Sequence, residues 1–185
     1  MVLPVYMYGN SVLRQEVEDI DKDYPELQKL ISDMFETMYH TEGIGLAAPQ
    51  IGRSIAVIVI DASPLAEDFP ECADSKMVLI NPTLEVIEDE APISRPEGCL
   101  SLPGLNENVK RHEHVVLTWL DENFVEHEQE FKGFIARVIQ HEFDHLEGTV
   151  FTDRIAPIRK QMIRNKLHNM ERGKVKCAYR VVSAK

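Results

Sequence analysis

The stretch Gly133-Phe-Ile-Ala-Arg-Val-Ile-Gln-His-Glu-Phe-Asp-His-Leu-Glu-Gly148 predicts an amphipathic helix over 133–146, ended near Gly148. Inside it lies His141-Glu142-Phe143-Asp144-His145, an H-E-x-x-H pattern. Residues four apart on a helix are separated by about 40° around the axis and one turn along it. Both imidazoles can therefore reach one metal ion. Glu142 lies about 100° from His141, so it can face the site without binding the metal. That is the arrangement of a general base beside a metal-bound water. With 7 His and 20 Glu in 185 residues, chance would supply roughly 0.03 such motifs, so a metal site is favoured over two unrelated helix histidines.

Outward from this helix the chain reads as a mixture. Residues 23–41 predict an earlier helix, with Asp23 and Glu26 at capping-box spacing and Leu27, Leu30, Ile31, Met34, Phe35 and Met38 on one stripe. Ser54–Ile60 is a short apolar strand, and residues 61–76 read as an exposed loop. Met77–Ile80 and Thr83–Ile87 are strand candidates split by Asn81-Pro82. Val115–Leu120 and Phe124–Phe131 read as a hairpin around Asp121-Glu122-Asn123. A third helix is expected from Pro157 to Met170, with Ile158, Met162, Ile163, Leu167 and Met170 as its apolar stripe and Gly173 closing it. Val175, Cys177, Tyr179 and Val181 then alternate like a last strand. An early helix, mixed strands and a late central helix predict an α+β fold with mostly antiparallel sheet around the H-E-x-x-H helix, and a C-terminal helix.

Two helix histidines leave a catalytic metal site one ligand short. Downstream, Phe151 occupies the place of a third metzincin histidine, and 163–167 offers no carboxylate. The third ligand is therefore expected upstream. His112 and His114 share one strand face and are candidates. Cys99 is the better one, because Glu97-Gly98-Cys99-Leu100-Ser101-Leu102-Pro103-Gly104 implies a constrained backbone rather than a regular strand. A thiolate, two imidazoles and an open position would make a hydrolytic site. Chain connectivity would then hold the Leu100 N–H beside that position as an oxyanion donor. Gly43-Ile-Gly-Leu-Ala-Ala-Pro-Gln50 is weak by itself: it permits close backbone approach but matches no phosphate loop.

Size and charge bound the rest. At about 100–200 residues per domain, 185 residues predict one domain, 1–185. The longest apolar run, Ile55–Ile60, is too short to span a membrane. No signal or transit peptide is expected from Met1-Val-Leu-Pro-Val-Tyr6, and three sparse cysteines, Cys72, Cys99 and Cys177, suit a reducing cytoplasm. Net charge is −11, yet residues 157–185 hold nine Lys/Arg against one Glu. The acidic body should repel DNA, while the basic helix and tail could touch RNA or an acidic partner.

Gly-Ile-Gly-Leu-Ala-Ala-Pro-Gln (43–50), Glu-Gly-Cys-Leu-Ser (97–101) and Gln-His-Glu-Phe-Asp-His-Leu-Glu-Gly (140–148) together resemble the three motifs of the peptide deformylase family, in order, over roughly residues 1–170. The resemblance implies a metal-dependent hydrolase of bacterial protein biosynthesis. Such an enzyme removes formate from the N-formylmethionine of nascent polypeptides. It implies Cys99, His141 and His145 as ligands of a divalent metal, natively Fe(II) and often replaced by Zn(II) or Ni(II). It implies Glu142 as general base and acid, and the Gln50 amide and Leu100 N–H as oxyanion donors. Gly45 falls where the family pairs its backbone with substrate. The peptide is then expected as an added strand against Gly43–Leu46, with Ile44, Glu97 and Gly98 among its contacts. Phe134 and Val138 are expected to line a methionine pocket, with the stem of Arg137 there or its head in solvent. Family members also use a C-terminal helix at the ribosome. Here that would fall to the basic tail, whose residues 171–185 are expected to be dispensable for small-peptide turnover. One departure stands out: many members carry an arginine seven residues after the ligand cysteine, where this chain has Asn106, unless Lys110 or Arg111 supplies the charge. The rival readings are an H-E-x-x-H metallopeptidase and a non-catalytic protein with a closed structural metal site.

Overall fold

The computed structural model describes residues 1–184; Lys185, the end of the basic tail, lies outside them. The chain forms β1 (Val5–Tyr6), α1 (Leu27–His40), β2 (Gly45–Ala47), β3 (Val57–Ile60), β4 (Met77–Val86), β5 (Ile93–Cys99), β6 (Leu102–Arg111), β7 (His114–Leu120), β8 (Glu126–Lys132), α2 (Phe134–Leu146), α3 (Pro157–Met162), α4 (Arg164–Glu171) and β9 (Val181–Val182), with short 3-10 turns between. Strands β2-β3-β4-β7-β8 make one antiparallel sheet, β5 and β6 an antiparallel hairpin, and β1 and β9 a short parallel pair. The fold is α+β, as expected.

The unbroken apolar run of β3 follows from its place. Successive strand residues face opposite sides. Ile58 and Ile60 pack with Ile135, Ala136 and Ile139 of α2, whereas Val57 and Val59 pack with Ile31, Met34 and Met38 of α1. A strand covered on both faces needs no polar alternation. Helix α2 is in turn enclosed between this sheet and the β5–β6 hairpin, so even Arg137, Gln140, Glu142, Asp144 and His145 are buried. Buried polar groups must find partners or carry a function.

Several elements depart from their expected limits. The Asp23/Glu26 capping box does not form. Pro25 disfavours helical backbone at Tyr24, Glu26 is left-handed at φ 54°, and the helix begins at Leu27. Strand β4 runs through Asn81-Pro82 as one element with a register shift, because Asn81 exchanges hydrogen bonds of 3.0 and 2.8 Å with the Ile20 backbone. Residues 61–76 are not merely an exposed loop. Cys72 and Ser75 are buried, the Glu71 carboxylate accepts the Phe134 N–H at 2.8 Å, and Phe69 stacks on Phe134. This loop therefore seats the start of α2. The expected third helix breaks at Ile163. Ile163, Leu167 and Met170 turn inward, while Ile158 and Met162 stay exposed. Of the expected last strand only Val181–Val182 pairs, with Val5–Tyr6.

Candidate active site

Residues from four separate elements converge on one cleft of about 580 Å³, ordinary for a small-ligand or peptide site. Helical spacing sets His141 and His145 a turn apart. Cys99 arrives from the end of β5, where a register shift between Gly98 and Cys99 interrupts the pairing with β6. It is therefore a strand residue at a bulge, not part of an irregular loop. Its Sγ lies 3.3 Å from His145 Nε2, and one donor atom from each of Cys99, His141 and His145 falls within 4.8 Å of the others. This soft sulfur and two imidazole nitrogens suit zinc or ferrous iron. His112 and His114 do not join them: His112 Nδ1 bonds the Glu90 carbonyl, and His114 sits between Asp89 and Glu130.

Behind these three candidate donors stands a buried ionic lattice that the sequence did not announce. His141 Nδ1 lies 2.9 Å from Glu97 Oε1, an arrangement in which it donates its proton there and leaves Nε2 for the metal. Glu97 also accepts two bonds from Arg111, at 2.7 and 2.9 Å, and one from Arg137 at 2.6 Å. Burial disfavours the Glu97 anion. The bonds from Arg111 and His141 outweigh that and hold its carboxyl well below the usual carboxylate range. Arg137 spends its remaining donors on Glu113 and on the Val109 and Ile93 carbonyls. It is 1% exposed, so its head does not reach solvent. Arg111 also binds Asp144 at 3.0 Å, which excludes it from gripping a substrate carboxylate. Lys110 borders a different cavity, beside Gln140 and Asp144. Glu97 thus borders the cleft with both carboxylate oxygens already engaged, contrary to a role as peptide contact.

Glu142 is the opposite case. It is 5% exposed, its Oε2 has no protein partner, and burial pushes its carboxyl up to about 7, with Glu97 and Asp144 adding to the shift and His141 opposing it. Its Oε1 lies 2.5 Å from where a Cβ on Gly45 would stand, so glycine is required for β2 to approach it. Gln50 is aimed by its own backbone neighbourhood. Oε1 accepts the Ala47 N–H at 2.9 Å, and Nε2 consequently points at Cys99 Sγ (3.4 Å) and Ser101 Oγ (3.3 Å). Leu100 follows Cys99 directly at the cleft. Ile44, Gly45, Gly98, Phe134 and Val138 line it too, and β2 is an edge strand of its sheet. Sequence reading missed Leu65, Ser101 and the stretch 176–179 in this neighbourhood. Lys176 to Tyr179 wall the cleft, so the tail is not separable from the site as expected.

Comparison with known proteins agrees with this geometry. A family model described as polypeptide deformylase matches residues 2–161. The chain is 42% identical over 189 residues to the peptide deformylase of Christiangramia forsetii, covering 98% of this chain and 95% of that one. It is 41% identical over 187 residues to that of Salinibacter ruber, covering 99% and 95%. Among solved structures it resembles a plant peptide deformylase (TM-score 0.81, 32% identity, 93% of this chain and 90% of that one). It likewise resembles the Thermus thermophilus peptide deformylase (TM-score 0.79, 36% identity, 91% and 96%).

Proposed function

The chain belongs to the polypeptide deformylase family, hydrolases that remove the formyl group from the N-terminus of new polypeptides, and from that premise we propose how its own residues carry the reaction. Cys99, His141 and His145 would hold a divalent ion, Fe(II) in the cell, whose contribution is Lewis-acid activation of a water near neutral pH. Glu142 takes the proton of the attacking water and delivers it to the departing amine nitrogen. The Gln50 amide and the Leu100 N–H donate to the oxygen that gains charge as the formyl carbon becomes tetrahedral. The peptide adds to the free edge of β2 at Ile44 and Gly45, so main-chain hydrogen bonds bind many sequences. Gly98 leaves room on the facing wall, and Phe134 and Val138 receive the methionine side chain. Glu97 acts through His141 rather than on substrate. The observation carrying this reading is the convergence of Cys99, His141 and His145 beside an unpartnered Glu142 in a cleft with an open sheet edge. Formate release from formyl-Met-Ala, with metal analysis of the same sample, tests it. A metal-replete sample that releases no formate overturns it.

Asn106 lines the cleft, with its Oδ1 only 2.6 Å from a would-be Gly98 Cβ. An amide cannot make a bidentate ion pair with a carboxylate. Asn106→Arg is expected to lower KM for formyl-Met-Ala by about 1–2 kcal/mol, with kcat little changed, since the contact is equal in ground and transition states. The amidated peptide should respond much less. Equal responses of acid and amide would remove the carboxylate grip.

Arg164 and Lys166 of α4, on either side of its buried stripe, and Arg172 and Lys174 just after it are exposed, none of them ion-paired among the described residues. This basic end of the chain is read as the contact to ribosomal RNA. Ribosome co-sedimentation should weaken steeply as salt rises; salt-independent binding would contradict it.

A further inference from the structure

Leu100 and Ser101 are the two-residue tip of the β5–β6 hairpin, closed by the pairing of Cys99 with Leu102. Such tips are usually stabilised from within by residues like Asn-Gly that accept positive φ. Leu-Ser has no such preference, and neither residue adopts positive φ here. This tip is instead tied from outside. Gln50 reaches Ser101 Oγ, and the Ser101 carbonyl accepts the Tyr8 N–H at 2.8 Å. The Leu100 carbonyl accepts the phenol hydroxyl of Tyr179 at 2.6 Å, across 79 residues of sequence. Tyr179 is anchored in turn. The Arg180 carbonyl accepts the Val5 N–H at 3.0 Å, and the Val182 carbonyl accepts the Met7 N–H at 2.9 Å and Asn10 Nδ2 at 2.8 Å. Strand β1 and the residues just after it, Met7 to Asn10, thus join the C-terminal segment and the hairpin tip into one unit.

We propose that Tyr179 is a positioning residue for deformylation: by holding the Leu100 carbonyl, its hydroxyl sets the direction of the Leu100 N–H. The inference rests on the reading of that N–H as an oxyanion donor. Peptide units are rigid planes joined at Cα by two soft torsions. The unit before Leu100 carries Cys99, and the unit after it carries the carbonyl that Tyr179 binds. With both planes held, the torsions of Leu100 have little freedom, and its N–H keeps one direction before charge develops. Such preorganisation is what makes an oxyanion donor effective, and small misplacements weaken it sharply.

The test is Tyr179→Phe in the full, metal-loaded chain, which keeps the ring in the cleft wall and removes only the hydroxyl. On formyl-Met-Ala-Ser, kcat is expected to fall about tenfold, well short of the ~10²–10³ for losing a donor outright. KM, affinity for the product Met-Ala-Ser, metal content and thermal midpoint should remain near the parent values. Tyr179→Ala, which also opens the wall, should raise KM in addition. A kcat within twofold of the parent overturns the proposal. So does a kcat loss that tracks loss of metal or of product affinity, because that is what a merely structural tie would produce. A parent chain that releases no formate fails the deformylase reading itself; an active parent with an unaffected Phe variant fails only the role of Tyr179.

Discussion

Glu142→Ala should lose about 10²–10⁴-fold in formate release, the range for a positioned general base and acid, while keeping a full complement of metal. The three converging donor atoms belong to Cys99, His141 and His145, and the Glu142 carboxylate is not among them. Its Oε1 abuts Gly45 on the edge strand, and its Oε2 is buried without a protein partner. Nor does it hold the fold: no ion pair of the described residues includes it, whereas Glu97 is engaged on both oxygens. Glu142→Gln, which preserves shape and polarity, should be equally inactive and no less stable. Metal quantification and single-turnover formate release on the same preparations check this. Stoichiometric loss of metal from either variant would make Glu142 a ligand instead.

The second large effect is expected at Glu97. Glu97→Gln removes the one anion that Arg111 and Arg137 share with His141, and Glu97, Arg111 and Arg137 are all buried. Breaking a buried pair leaves uncompensated charge and costs about 3–5 kcal/mol. The same change leaves His141 Nδ1 facing at best a neutral amide oxygen in place of a carboxylate, and disturbing such a partner typically weakens metal binding about 10–100-fold. Denaturation at fixed metal concentration and competition against a chelator measure the two effects separately. Glu107→Gln is the control. Glu107 is also buried, but its partner Arg159 is half exposed, so solvent screening should keep that cost to about 1 kcal/mol or less. Equal stabilities for the two variants would show that the lattice behind His141 contributes little.

The local pattern settled what short-range geometry controls. Helical periodicity alone put His141 and His145 on one face with Glu142 beside them, and the hairpin around Asp121-Glu122-Asn123 formed between β7 and β8, its second strand beginning at Glu126 rather than Phe124. Three motifs in order were sufficient to reveal the family. Tertiary structure decided the rest. It brought Cys99 to within 3.3 Å of His145, 46 residues on, and sent His112 and His114 to other partners. It made strands of 93–99 and 102–111, which hydrophobic alternation could not show. In β6 the buried positions are Leu102, Leu105, Glu107, Val109 and Arg111, so two of the five are charged. Their burial is tolerated only because Arg159 meets Glu107, and the Glu97 and Asp144 carboxylates meet Arg111, from elsewhere in the chain. It likewise turned Arg137 inward and folded Tyr179 against Leu100. A period of 3.6 or 2 records which side of an element is apolar. It carries no record of a charge whose partner is dozens of residues away, because that partner exists only once the chain has closed around it.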